Sequence, residues 1–257
     1  MIRAWLDLPP AGIFGVLIVL YFGTPLLLAV IAFRGPLARP VQSLTGVVAP
    51  FFNGVAILFA LLTGFLAADV AERGRQAYRV VHTEAGELRN IHTLSVASAS
   101  DMGAIRAALK TYVTSVVTEE WPAMDDMRLS PNTGAAYDAL LHEVSIPSIA
   151  KDSGQAVHSA LLTATLRVGT ARNDRLALSS DHTNDLKWLV VIVLGLLTQV
   201  GIGLVHLEKP RAFLASLAVF ASAAIVALGI IALQEYPFDG TFQVSSQPIK
   251  TLQALSE

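Results

Sequence analysis

Residues 47–68 read VVAPFFNGVAILFALLTGFLAA, and residues 69–89 continue DVAERGRQAYRVVHTEAGELR. The apolar run turns polar at Asp69 with no helix breaker there. The passage therefore reads as one helix, over about 47–94, that crosses a membrane and carries on into water. Roughly 20 residues at about 1.5 Å each cover a hydrocarbon core of about 30 Å. Ala56, Ala60, Gly64 and Ala68 fall at successive i+4 positions, a ridge of small residues that lets another helix backbone approach closely. Phe52 and Phe59, seven apart, lie on a different face, which either packs against neighbours or lines a path.

Working outward, three more runs have the same character. Residues 11–33 are apolar and too long for a signal-peptide core, so the segment is expected to be retained. Pro25 should kink it, with Gly23 and Thr24 as relief. Trp5 before it suits a membrane–water boundary. Residues 188–207 form the third span, opened by Trp188, with Gly195, Gln199 and Gly203 on one row. Residues 212–233 form the fourth. The chain is 53% hydrophobic and 15% charged, with positive mean hydropathy, which agrees with a membrane protein.

Between spans two and three the sequence reads as helical throughout. Val81, Leu88 and Ile91 give helical spacing. Ser98-Ala-Ser-Asp101 is a cap-like break. A helix over 102–121 follows, with Ile105, Leu109, Tyr112, Val113 and Val116 on one side, and Pro122 is expected to stop it. Ser130-Pro-Asn-Thr-Gly134 reads as a loop. Helices over 135–144 and about 155–178 complete the region, and Ile249, Leu252 and Leu255 mark an amphipathic tail. The fold class is thus all-α membrane protein: four transmembrane helices with a helical soluble region inserted between spans two and three. The division is 1–68 (N-terminal tail and spans one and two), 69–187 (helical soluble region continuous with the second span), 188–234 (spans three and four) and 235–257 (C-terminal tail).

The chemistry visible in the residues is sparse. A net charge of −2 and no basic stripe exclude nucleic acid. With no cysteine, disulfides and thiolate chemistry are absent. No two of the six histidines stand at i+3 or i+4, and Asp138 with His142, or Asp181 with His182 and Asp185, read as exposed polar pairs; no metal is expected. Glu119-Glu120 and Asp125-Asp126 around Trp121 read as a solvated helix end. No nucleophile sits in a catalytic frame, and Gly201-Ile-Gly203 is not a nucleotide loop. Neither an enzyme nor a cofactor is expected. No ionisable residue falls mid-span, which argues against a proton relay or voltage sensor. Asn53 and Gln199 are the strongest polar residues at membrane depth; each bonds across helices or faces a water-filled path.

Gly64-Phe-Leu-Ala-Ala-Asp-Val70, running into Tyr78 and Glu84-Ala85, resembles the span-to-helix passage of the bestrophin-like membrane proteins, a largely bacterial family of unknown function. So do Tyr112 with Glu120-Trp121-Pro122, Arg172 and Arg175-Leu176 before Trp188, and Tyr236-Pro237-Phe238-Asp239-Gly240 after the last span. The motifs are short, and their order and spacing across nearly the whole chain carry the resemblance. It implies a likeness to bestrophins, homo-oligomeric anion channels whose second span lines a narrow, phenylalanine-rich neck. Carried over, it would put Phe52 and Phe59 at a pore, and Asn53, beside Phe52, joins them as a pore-lining candidate on its polarity. The bestrophin neck motif and calcium-clasp acidic run are not found, so calcium control is not implied.

The expected function is a homo-oligomeric integral membrane protein of the cell (inner) membrane, with membrane lipid as its surroundings and small anions as the permeant species. The alternative is a non-conducting assembly or accessory protein whose soluble helices bind a protein partner. A sensor ranks last, because the roughly two dozen residues after Leu233 are too few for an output module. Orientation is divided. Arg34, Arg39, Lys209 and Arg211 in the short connections put those loops in the cytoplasm. Arg73, Arg75, Arg79, Arg172, Arg175 and Lys187, flanking the soluble region, tip the balance slightly toward a cytoplasmic soluble region.

Overall fold

The computed structural model describes residues 2–48, 50–98, 100–125 and 130–256. Ala99 of the expected break and Asp126 of the acidic patch lie outside them, as do the side chains of Asp125 and Leu255. In chain order the helices are α1 (Ile2–Leu6), α2 (Pro10–Phe33), α3 (Ala38–Gln42), α4 (Pro50–Ala97) and α5 (Gly103–Ser115). A π-helical turn, Val116–Glu120, leads into α6 (Trp121–Asp125), α7 (Pro131–Val144), α8 (Pro147–Ser153) and α9 (Gln155–Ser180). Then come α10 (Asp185–Val205), α11 (Pro210–Ala232) and α12 (Gln247–Lys250), the last continued by a 3-10 turn, Thr251–Ser256. No strand occurs among the described residues.

The chain forms two compact units: Met1–Glu72 with Thr183–Glu235, and Arg73–His182 with Tyr236–Glu257. Helix α4 contributes to both and is unbroken, as read from the sequence, because no proline interrupts its hydrogen bonds after Pro50.

In the first unit, and among the described residues, α2, the apolar part of α4, α10 and α11 are long and apolar enough to cross a membrane. Close packing comes from large side chains seated on small ones. Tyr21 and Phe59 press on Gly195, and a Cβ added at Gly203 would lie 2.9 Å from the ring of Phe213. Pro25 lacks the N–H that would bond the carbonyl of Tyr21, and that carbonyl instead accepts from Gln199 Nε2 at 2.8 Å. Thr24 Oγ1 donates to the Leu20 carbonyl at 2.7 Å. Gln199 is therefore a cross-helix hydrogen-bond donor at a proline.

In the second unit, Val81, Leu88 and Ile91 of α4 share a core with Ile105 and Leu109 of α5, Leu140 of α7, and Leu161 and Val168 of α9. Each such side chain contributes about 1.5–3 kcal/mol by leaving water. Ile249 and Leu252 of the tail join this core.

Three local expectations are corrected. Pro122 does not stop the helix: the N–H of Trp121 bonds the Val116 carbonyl across the wider π turn. The winding then runs on through Pro122 into α6. Ser130-Pro131 is a helix start, since Ser130 Oγ accepts from the Thr133 N–H at 3.3 Å and Pro131 takes the first helical position. Residues between Val144 and Gln155 contain α8, again opened by a proline, Pro147.

Candidate functional site

Most of the motif residues singled out in the sequence converge in the second unit. Glu84 comes from α4, Tyr112 from α5, Glu120 from the π turn, Trp121 and Met124 from α6, and Arg172 and Arg175 from α9. The side chains of Glu84, Glu120 and Arg175 are 0% exposed. Arg175 Nε donates to Glu84 Oε2 at 2.7 Å and its Nη2 to Glu84 Oε1 at 3.2 Å. The same Nη2 donates to Glu120 Oε1 at 2.8 Å. Arg172 Nε reaches both oxygens of Glu120, at 3.1 and 3.0 Å. Tyr112 Oη donates to Glu84 Oε1 at 2.7 Å. The guanidinium of Arg175 lies 5.3 Å from the Trp121 ring, and Trp121 stands edge-on to Phe238 at 5.8 Å.

Glu120 follows Tyr112 and Val116 at i+4 spacing, and all three are buried on one face. The π turn bonds the Trp121 N–H to the Val116 carbonyl, so Trp121 follows onto the same side. Glu119 stays exposed and accepts from Asn132 Nδ2 at 2.8 Å, at the start of α7. The expectation of a solvated acidic patch is thus overturned for Glu120. A carboxylate can be buried when fixed cations take its lone pairs, and here two guanidinium groups do so.

The charges balance: two carboxylates against two guanidinium groups. Burial opposes the charge on Arg175, but the charge and hydrogen bonds of Glu84, together with Tyr112 and Glu120, outweigh it and raise the guanidinium's pKa. Arg172 follows the same pattern, with burial opposed by its hydrogen bonds and proximity to Glu120. Burial, reinforced by the charge of Glu84, pushes the phenol of Tyr112 up, so it stays neutral and donates. Together these side chains form a fixed ionic lock joining α4, α5, the π turn and α9.

The other motif residues fall elsewhere. Trp188, in the first unit, donates from Nε1 to Glu235 Oε2 at 3.2 Å and stands edge-on to Trp5 at 5.3 Å. Glu235 also accepts from the Thr183 N–H at 2.7 Å. Pro122 is exposed, Pro237 is buried, and Gly240 has φ +85°, a backbone conformation that favours glycine. Glu235 and Met124 were missed in the sequence. Glu235 had a signal, an acidic residue directly after an apolar span, whereas Met124 had none.

The second-span residues separate into two faces. The ring of Phe52 sits against α10, where a Cβ added at Gly201 would lie 2.7 Å from its Cγ. Phe59 packs against Phe220 of α11, with centroids 5.5 Å apart. Asn53, Ala60, Gly64 and Ala68 are exposed on the outward side and Ala56 lies at its margin. Beside this small-residue stripe runs a large apolar one, with Leu58, Leu61 and Phe65 exposed.

A family model for the Bestrophin-like domain matches residues 19–249. No curated protein sequence matches the chain. A point-mutated bacterial bestrophin homologue from Klebsiella pneumoniae superposes with a TM-score of 0.73 at 12% identity, over 95% of this chain and 98% of that one. The zinc-phased structure of a bestrophin homologue from the same organism gives a TM-score of 0.67 at 13% identity, over 94% and 96%. A further crystal structure, a proline-to-alanine form described as a membrane protein, gives 0.71 at 12% identity, over 95% and 97%. At such identities the likeness concerns the fold.

Proposed function

We infer, for a chain that belongs to the bestrophin-like family, that copies of this integral membrane protein assemble around an axial path for small anions. The observation that carries the reading is the outward face of α4. Its Asn53/Ala60/Gly64 stripe is uncharged, small and exposed in the single chain, while Phe52 and Phe59 are spent on packing against α10 and α11. A stripe of this kind supports close approach by another copy or an uncharged constriction along a path. Of the three pore-lining candidates, Asn53 lies on the outward side, and the two phenylalanines back the wall. The arginines flanking the helical region between spans two and three support a cytoplasmic side for it, in the inner membrane.

The test is reconstitution of the purified chain in chloride-loaded vesicles. Chloride efflux is expected, and Gly64→Leu, which fills the small stripe, should lower it by about tenfold or more, as steric closure of a narrow apolar neck does. A wild-type chain that is monomeric in the membrane, or vesicles that hold their chloride, would overturn the reading.

A further inference from the structure

We propose that the membrane unit holds one zwitterionic phospholipid per copy, in a cleft of about 620 Å³ between α4 and α10. The walls are Phe65 and Leu66 on one side and Val190 and Val191 on the other, and the mouth carries Asp69 and Lys187. Phe65 is 57% exposed and Val190 38%, so the cleft is open along its length. From Asp69 down to Leu62 the wall descends seven residues of helix, about 10 Å, or roughly a third of the hydrocarbon core. That depth suits the first part of an acyl chain with its headgroup at the mouth.

The mouth selects the headgroup. Lys187 and Asp69 are paired, yet about half of each side chain remains exposed. One cation and one carboxylate match a headgroup that itself carries a phosphate and an ammonium. The phosphate faces Lys187. The ammonium faces Asp69. A purely anionic headgroup would meet the same carboxylate without a cation to offer it. A helix from a second copy would have to bury the Lys187–Asp69 pair, and taking an ion pair out of water is costly.

Native mass spectrometry tests this after the purified chain is equilibrated with vesicles of equal phosphatidylethanolamine and phosphatidylglycerol. The wild type should retain one phosphatidylethanolamine per copy, preferred about fivefold, as one favourable charge contact at a membrane surface gives. Asp69→Asn should abolish the preference while a lipid is still retained, and Val190→Trp, which fills the cleft, should remove the lipid. Equal retention of the two lipids, no retention, or an unchanged preference in Asp69→Asn would overturn the proposal. So would a change of oligomeric state in Val190→Trp, which would mean that another copy occupies the cleft. Should Val190→Trp not fold, the Asp69→Asn preference decides alone. None of these readouts depends on whether the protein conducts.

Discussion

Replacing Arg175 by methionine keeps much of the side chain's volume and removes its charge. Glu84 would keep the Tyr112 hydroxyl and lose both bonds to Arg175, and Glu120 would keep only Arg172. Two carboxylates would then share a fully buried site with a single, partly exposed cation. Breaking a buried pair from one side costs about 3–5 kcal/mol, because the remaining charge is left uncompensated. Against a typical total of roughly 5–15 kcal/mol, that is a large share. At about 2–4 °C per kcal/mol for a chain of this size, the melting temperature should fall by on the order of 10 °C. The assay is thermal unfolding of the purified protein in detergent, followed by loss of helical circular dichroism. Arg175→Lys should fall between, since a lysine keeps the charge but not the planar fork that serves Glu84 and Glu120 together. Adding Glu84→Gln to Arg175→Met should recover part of the loss by removing one orphaned charge. An Arg175→Met protein that melts with the wild type would refute the lock as a stabilising element.

Three further outcomes are expected. Tyr112→Phe should cost about 1.5–3 kcal/mol, the range for a hydrogen bond to a charged group. It should also flatten the alkaline limb of the stability profile. Burial raises the folded pKa of Tyr112 while the unfolded phenol ionises near about 10, so the wild type's stability is present below that pH and lost above it. Urea titrations from neutral to alkaline pH read this, and parallel profiles would contradict it. Gln199→Leu should cost about 1 kcal/mol in the wild type and close to nothing in a Pro25→Ala background, where residue 25 regains an N–H for the Tyr21 carbonyl. Equal losses in both backgrounds would break that link. Gly201→Leu should destabilise by about 1–3 kcal/mol through collision with Phe52, and Phe52→Ala should return part of it. Melting curves of the single and double variants decide that case.

The architecture was legible because it rests on long, one-dimensional signals. Four apolar runs of membrane length, and a stretch after Pro50 with no proline, are read by counting. The interior of the helical unit was legible as periodicity, since Val81, Leu88, Ile105 and Leu109 keep helical spacing and do lie in the core. The lock was only half visible. Its residues stood out as motif positions, but Glu119-Glu120 looks like a solvated charge run, and the guanidinium groups that let Glu120 be buried come from α9, 52 and 55 residues along the chain. The faces of α4 were equally hidden, because what decides them is the glycines Gly195 and Gly201, well over a hundred residues away in the chain. Gln199 looked like a polar residue in a span; its reason is a carbonyl orphaned by Pro25 on another helix. Pro122 and Pro131 misled for different reasons: a π turn carries the helix past the first, and the second takes the opening position of α7.

The proposed anion path runs along the outward face of α4. The chain has no cysteine, so Ala60→Cys, on the exposed stripe of that face, introduces a unique thiol without side reactions. Chloride efflux from vesicles holding Ala60→Cys should match the wild type until a charged, water-soluble thiol reagent is added, and should then fall sharply while wild-type efflux is unaffected. Efflux that ignores the reagent after complete labelling of Ala60→Cys would contradict the account.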